Sequence, residues 1–438
     1  MKSSSGSGGR LKVSPFPLSC PTERERKAGR MGFLRGSFSE RKEIMGKEIA
    51  VLGIGMHPWG KWPEKKFVEY GLTAARNALK DANLEWKAIQ YVAAGSTIYS
   101  GIPGLMAGSA FCEEMGWIGV PVINNFNACA TGAYAMDAAR ARILAGLCDV
   151  ALCIGMDWAP KGFFAPPGTK DPTDLDALRF KMGATNPSYF AMYAMRRMQN
   201  YGTKEVDLAM VKVKNSRHGL HNPNARFRKE FTVEEVLGSP MVSSPLRLYE
   251  LCATSDGAAA IILSSMEYAR KVTTHPIQIA AISTVSPRYP DAMINIPRIS
   301  TDSTYSTSPE MNFQKYVPQK AYEEAGIGPE DLSLAEVYDL TSAYELDWYE
   351  YISICKPGEA EGLLRNGDTT IGGRIPVNAS GGLSSFGEAV PAQAIAQVCE
   401  LVWQLRGAAG QRQVKGAKVG LTANFGLLGN ASSVIVKR

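Results

Sequence analysis

Hydrophobic positions along this chain change period in a regular rhythm. Ile49-Ala-Val-Leu-Gly-Ile-Gly is a nearly unbroken apolar run, the pattern of a strand buried on both faces. Residues 66–82 then place Phe67, Tyr70, Leu72, Ala75 and Leu79 at helical spacing. Residues 89–94 predict a strand, 107–115 a helix and 120–124 a third strand. An Ala-rich helix running to about Leu144 follows, and then the buried strand Val150-Ala-Leu-Cys-Ile-Gly. A βαβαβ string of this kind predicts a mainly parallel sheet covered by helices.

The rhythm breaks over residues 158–245, which hold many Pro, Gly, Met and aromatic residues and two helical runs, about 188–201 and 204–218. This stretch reads as a cap or loop insertion that carries substrate specificity. A strand returns at Asp256-Gly-Ala-Ala-Ala-Ile-Ile-Leu, and Pro276-Ile-Gln-Ile-Ala-Ala-Ile opens a second series. The second series weakly repeats the first. Ala74-Ala-Arg-Asn-Ala-Leu-Lys-Asp-Ala-Asn-Leu resembles Ala321-Tyr-Glu-Glu-Ala-Gly-Ile, and each precedes a strand. Asn127-Ala-Cys-Ala-Thr-Gly resembles Asn378-Ala-Ser-Gly-Gly, each taken to precede an Ala-rich helix, and Lys418-Val-Gly-Leu-Thr-Ala matches the strand at 150. Three parts follow: a disordered or non-native extension over 1–44, an N-terminal half over 46–270 carrying the insertion, and a C-terminal half over 271–438.

Charge changes the picture little. The 438 residues carry a formal net charge of +6 and are 45% hydrophobic. Residues 1–44 contain ten Lys or Arg against four Asp or Glu, so the whole excess lies there. The balanced body gives no electrostatic reason to expect nucleic acid. No apolar run reaches the ~18 residues of a membrane span, and residues 1–44 have no secretory apolar core. The eight Cys contain no C-x-x-C, which argues against a metal site or a disulfide framework and fits a reducing cytoplasm.

Chemistry concentrates at Cys129. An apolar approach ends in Asn residues, then Cys129, then small residues opening a helix. At a helix N-terminus, unpaired N–H groups and the dipole favour a thiolate. Two readings stand on this window: a nucleophile, or a small buried Cys where strand meets helix. His218 and His221 read as ordering the cap loop and His57 as structural, and no His lies beyond residue 275.

Six segments taken together resemble the thiolase superfamily over 46–438, and most closely its sterol-carrier-protein-type (lipid-transfer-protein) branch, which is acetyl-CoA acetyltransferase-like. They are Asn127-Ala-Cys-Ala-Thr-Gly, His221-Asn-Pro-Asn-Ala-Arg-Phe-Arg-Lys-Glu, Ser255-Asp-Gly-Ala-Ala, Asn378-Ala-Ser-Gly-Gly-Leu, Gln404-Leu-Arg-Gly and Asn424-Phe-Gly-Leu-Leu-Gly. The resemblance implies a thiolase-like α/β fold of two similar halves with mixed sheets in a layered α/β arrangement, and no appended sterol-carrier domain. It also implies a homodimer, sometimes with a small OB-fold partner protein, and acyl-CoA or coenzyme A as substrate with no permanently bound cofactor. Cys129 then becomes the acyl-accepting nucleophile, with the backbone N–H groups of Cys129 and Leu428 as oxyanion donors.

The sequence departs from that pattern in three places. The Gly-His-Pro turn that activates the Cys reads Gly387-Glu388-Ala389. The branch's His-Asp-Cys-Phe motif reads Tyr338-Asp339-Leu340-Thr341, and the C-terminal Cys-Ile-Gly-Gly reads Gly426-Leu-Leu-Gly429. The leading expectation is acyl transfer on a β-oxoacyl-CoA, in fatty-acid or sterol side-chain degradation. Cys129 is its nucleophile, Glu388 the replacement acid/base and Tyr338 a hydrogen-bond donor on the enolate side. Tyr338-Asp339 also resembles thiolase-fold retro-aldolases of β-hydroxyacyl-CoA, in which Tyr338 is the base and Cys129 only lines the pocket. A third expectation is a non-catalytic acyl-CoA or lipid-binding subunit.

Overall fold

A computed structural model describes residues 48–159, 186–273, 276–287, 313–426 and 429–438. The predicted extension over 1–44 lies outside the described residues. The strands are β1 Ile49–Gly60, β2 Tyr91–Gly95, β3 Val122–Asn125, β4 Val150–Asp157, β5 Met241–Ser243, β6 Leu246–Arg247, β7 Asp256–Ser265, β8 Ile277–Val285, β9 Leu334–Val337, β10 Val419–Gly426 and β11 Asn430–Lys437. The main helices are α1 Phe67–Asp81, α2 Ala107–Met115, α3 Thr131–Leu144, α4 Asn186–Tyr201, α5 Glu205–Leu220, α6 Phe313–Ala325, α7 Ser342–Tyr351 and α8 Gln393–Arg406.

Nine strands form one hydrogen-bonded order, β3-β2-β4-β7-β1-β8-β11-β10-β9. Outward from the β1–β8 junction the two arms follow the same sequence of pairings. β1·β7 and β7·β4 are antiparallel and β4·β2 parallel; β8·β11 and β11·β10 are antiparallel and β10·β9 parallel. The first arm ends in parallel β3, and in the second a single parallel bridge, Ala335 to Val377, holds the corresponding place. The weak sequence repeat is therefore a structural one. The expected mainly parallel sheet is mixed instead. Between β10 and β11 only residues 427–429 intervene, too few for a parallel crossover, so that pair turns back antiparallel.

Side-chain alternation divides the core into layers. Along β7, Ala259, Ile261 and Leu263 face one cluster while Ala258, Ala260 and Ile262 face another. The first cluster also takes Met136, Ala139 and Ile143 of α3, Ile395, Val398 and Leu401 of α8, and Val434 and Val436 of β11. Helices α3 and α8 thus lie between the two arms, with α1 and α2 outside the first arm and α4, α6 and α7 outside the second. A helix enclosed this way must be apolar almost all round. The one acidic residue of α8, Glu400, is buried and paired with Arg412 at 2.8 Å. The arms approach closely at Gly155 of β4, where a Cβ would stand 2.2 Å from Pro391 O, so no side chain fits.

Part of the predicted insertion, 160–185, lies outside the described residues. The rest holds α4, α5 and the β5–β6 hairpin, and it packs against α7 and the turn Gly382–Ser385 of the second half. Residues 378–382 do not lead directly into an Ala-rich helix. That short turn is followed by Gly387 at φ +111° and by Pro391, and α8 begins only at Gln393.

Candidate active site

The turn Asn127-Ala-Cys129 carries the thiol. Ala128 has φ +48°, an unusual backbone for a non-glycine, and Thr131 Oγ1 closes the turn by accepting from Asn127 N at 2.8 Å. Cys129 is buried, two residues ahead of α3. Gly426 passes so close that a Cβ there would lie 2.6 Å from Asn127 O. Leu428, expected to supply an oxyanion N–H, lies outside the described residues.

Glu388 is brought to this thiol by a backbone strap. Its N–H donates to Ala253 O at 2.9 Å and its carbonyl accepts from Ser255 N at 2.7 Å. Gly387, before it, has φ +111°, and a Cβ there would meet Ser255 Oγ at 2.4 Å. Tyr338 stands at the end of β9, its N–H bonded to Ala423 O at 2.9 Å and its carbonyl accepting from Trp348 Nε1 at 2.9 Å. The structure brings the three predicted side chains onto one oxygen: Cys129 Sγ donates to Glu388 Oε1 at 3.7 Å, and Tyr338 OH donates to that same atom. Glu388 Oε2 is buried and accepts no hydrogen bond among the described residues.

Burial pushes the Glu388 carboxyl up, partly offset by the Tyr338 hydroxyl and by the Cys252 and Cys129 thiols beside it. Burial, with the ionisable Cys129 and Glu388 beside it, pushes the Tyr338 phenol well above its ordinary range. Tyr338 is therefore a donor here and not a standing phenolate. Among the described residues no histidine serves the thiol. His218 Nδ1 bonds Asn378 O at 2.9 Å and Nε2 accepts from Ile371 N at 3.1 Å, and burial drives its pKa down to about 3, so the ring is neutral with both nitrogens used. His57 is likewise bound, to Pro58 O at 2.8 Å and Lys65 Nζ at 3.2 Å.

In the comparisons with known proteins, the family profile described as thiolase C-terminal domain-like matches residues 301–438. Sterol carrier protein 2 of Oryctolagus cuniculus is 32% identical over 412 residues, covering 92% of this chain and 74% of that protein. The acetyl-CoA acetyltransferase of Methanothermobacter thermautotrophicus is 32% identical over 391 residues, covering 89% of this chain and 98% of its own. The chain belongs to the thiolase superfamily, in its sterol-carrier-protein-type branch. Among solved structures, the one described as "Ltp2-ChsH2(DUF35) aldolase" superposes with a TM-score of 0.74 at 23% identity, over 89% of this chain and 97% of that one, which establishes the shared thiolase fold.

Within that family framework, sequence reasoning missed two sets of residues. The first is Cys252, whose N–H bonds Leu340 O at 2.9 Å and whose thiol sits beside Glu388. Its position three residues before Ser255-Asp-Gly was the available signal. The second is the polar bed under the Asn378 turn. Lys214 Nζ bonds Glu345 Oε1 at 2.8 Å and Val377 O at 2.7 Å; Asn215 Nδ2 donates to Asp339 Oδ2 at 3.1 Å and Glu345 Oε2 at 2.6 Å. Asn378 Nδ2 reaches Glu345 Oε2 at 2.8 Å, and Leu383 N donates to Asp339 Oδ1 at 2.8 Å. Asp339, predicted as half of a Tyr-Asp pair, thus holds the turn that leads to Glu388.

Proposed function

We propose that the protein is a thiolase-like acyltransferase acting on (β-oxo)acyl-CoA thioesters through an acyl-Cys129 intermediate. The observation that supports this most is the shared Glu388 oxygen. A carboxylate beside a thiol opposes a standing thiolate, so Glu388 acts as general base at the moment of attack. Cys129 Sγ bonds to the thioester carbonyl carbon and its proton passes to Glu388 Oε1. The backbone N–H of Cys129 is the proposed donor to the developing oxyanion, and Leu428, the second expected donor, lies outside the described residues. The tetrahedral intermediate expels the CoA thiolate, which takes the proton from Glu388, leaving acyl-Cys129. Tyr338 keeps its proton and donates a hydrogen bond to Glu388 Oε1; in the enolate step the same O–H turns from Glu388 to the enolate oxygen. A permanent cofactor has no part in this scheme; coenzyme A enters as substrate, in fatty-acid or sterol side-chain degradation in the cytoplasm.

Incubation with acetyl-CoA or a longer acyl-CoA, followed by intact-mass measurement, tests this. An acyl adduct should form, vanish in Cys129→Ala, and form at least ~100-fold more slowly in Glu388→Gln, the usual scale of general base catalysis. Absence of an adduct from the unaltered protein overturns the reading.

Two observations favour a second reading, retro-aldol cleavage of a β-hydroxyacyl-CoA: the Tyr338–Glu388 bond can relay a hydroxyl proton, and the fold neighbour is described as an aldolase. Release of an aldehyde or ketone that depends on Tyr338, without an adduct, would identify it. If neither adduct nor product appears, the chain is a non-catalytic acyl-CoA or lipid-binding subunit.

The assembly proposed is a homodimer through the first half. Edge strand β3 exposes Ile123, with Phe126 and Ile98 exposed on the adjoining loops and Ile102 on the short helix Gly101–Leu105. A small OB-fold partner is a further proposal, supported by the DUF35 component named with that neighbour.

A further inference from the structure

Glu388 divides unevenly between its oxygens. Oε1 serves Cys129 and Tyr338, while Oε2 is fully enclosed and bare among the described residues. A buried carboxylate oxygen without a donor is costly, which makes an adjacent donor informative. The strap supplies one. Residues 252–255 run between the segments that carry the other two groups: Cys252 N bonds Leu340 O at 2.9 Å, Ala253 N bonds Leu383 O at 2.9 Å, and Thr254 bridges in parallel to Glu388. Cys252 is buried among the apolar residues that surround Cys129, Tyr338 and Leu340. Its thiol is held in the protonated form by burial and by Glu388 and Cys129 beside it.

We propose that Cys252 is a positioning residue of this site, whose S–H is the donor for Glu388 Oε2 and so keeps Oε1 turned to Cys129 and Tyr338. Two thiols then flank one carboxylate. Cys129 gives up its proton to it and Cys252 keeps its own. The inference rests on the proposed role of Glu388 as base for Cys129, and it does not depend on which acyl-CoA is turned over.

The test reads Cys129 directly. The full chain is alkylated with iodoacetamide from about pH 6 to about pH 10, and the rate at Cys129 is followed by peptide mass spectrometry. In Cys252→Ala, Oε2 loses its donor and the carboxylate becomes harder to ionise. With Glu388 more often protonated, less negative charge opposes the thiolate, so the rising limb at Cys129 should move down by about one pH unit, with roughly tenfold faster alkylation near neutrality. Cys252→Ser restores a donor and should bring the limb back toward that of the unaltered chain. Coincident profiles for Cys252→Ala and the unaltered chain overturn the proposal. An equal displacement by Ala and Ser also overturns it, because packing alone would then be the role of Cys252. Glu388→Gln separates the two levels. If it displaces the limb while Cys252→Ala does not, only the Cys252 proposal fails. If it leaves the limb in place, the role of Glu388 as base fails with it.

Discussion

At the scale of single residues, Glu388 and Asp157 are buried acids with no counter-cation in hydrogen-bonding reach among the described residues, and their titration follows from that. Next to Glu388 stands Asp157, at the end of β4, accepting from Thr97 Oγ1 at 2.6 Å and from Val390 N at 3.0 Å. Burial pushes Asp157 up to about 7. The folded chain therefore binds its proton more tightly than the unfolded chain, in which the group ionises near 4. The stabilisation is fully present below about pH 4 and is lost as pH rises through about 7, a contribution of at most about 4 kcal/mol. Asp157→Asn keeps an acceptor for Val390 N and puts an amide donor on Thr97. Denaturant unfolding at several pH values should show a falling limb between about pH 4 and about pH 7 in the unaltered chain and a flatter one in the variant. Parallel curves would show that Asp157 is ionised throughout.

At the scale of elements, the cap helix α5 acts as the bed of the turn that leads to Glu388. Four of its side chains, Lys212, Lys214, Asn215 and His218, are buried and reach the second half. Lys212 Nζ donates to Ser384 O at 2.7 Å and Ser385 Oγ at 2.9 Å. None of this was legible in the sequence. The helical period of residues 204–218 gave the helix, but a lysine in such a pattern reads as solvent-facing, and nothing local says that Glu345 or Val377 will cover it. The Tyr338-Asp339 and Gly387-Glu388 departures were legible because the family motifs fix what normally stands there. Cys252 was not, since its partner lies more than a hundred residues away in sequence. Lys214→Met leaves Glu345 buried beside Asp339 without a cation. It should lower stability by about 3 kcal/mol or more, with partial recovery in Lys214→Met/Glu345→Gln. Equal unfolding midpoints in urea for Lys214→Met and the unaltered chain would remove α5 from the account of how Glu388 is held.

At the scale of the whole molecule, the periodic runs predicted the order of elements well, because a strand buried on both faces and a two-sided helix leave strong marks. They failed on strand direction: β7 is an apolar run like β4, and an apolar run does not reveal which way its partner points. The repeat foretold the outcome better, since both arms carry the same antiparallel–antiparallel–parallel pairing. It also exposes an asymmetry. The second arm ends in a one-residue bridge packed under α5 and the Asn378 turn, whereas the first ends in β3, a free edge with Ile123 36% exposed and Phe126 41% exposed beside it. A strand edge bordered by apolar side chains is a site for pairing with another strand, and a copy of β3 is the partner that closes both edges at once. Ile123→Glu places a charge on that edge without touching Cys129, Glu388 or Tyr338. Light scattering after size exclusion should give a dimer for the unaltered chain and a monomer for the variant, with the pH profile of Cys129 alkylation unchanged. A dimer that survives the substitution would move the contact to another surface, and a monomeric unaltered chain would leave β3 as an edge awaiting a different partner.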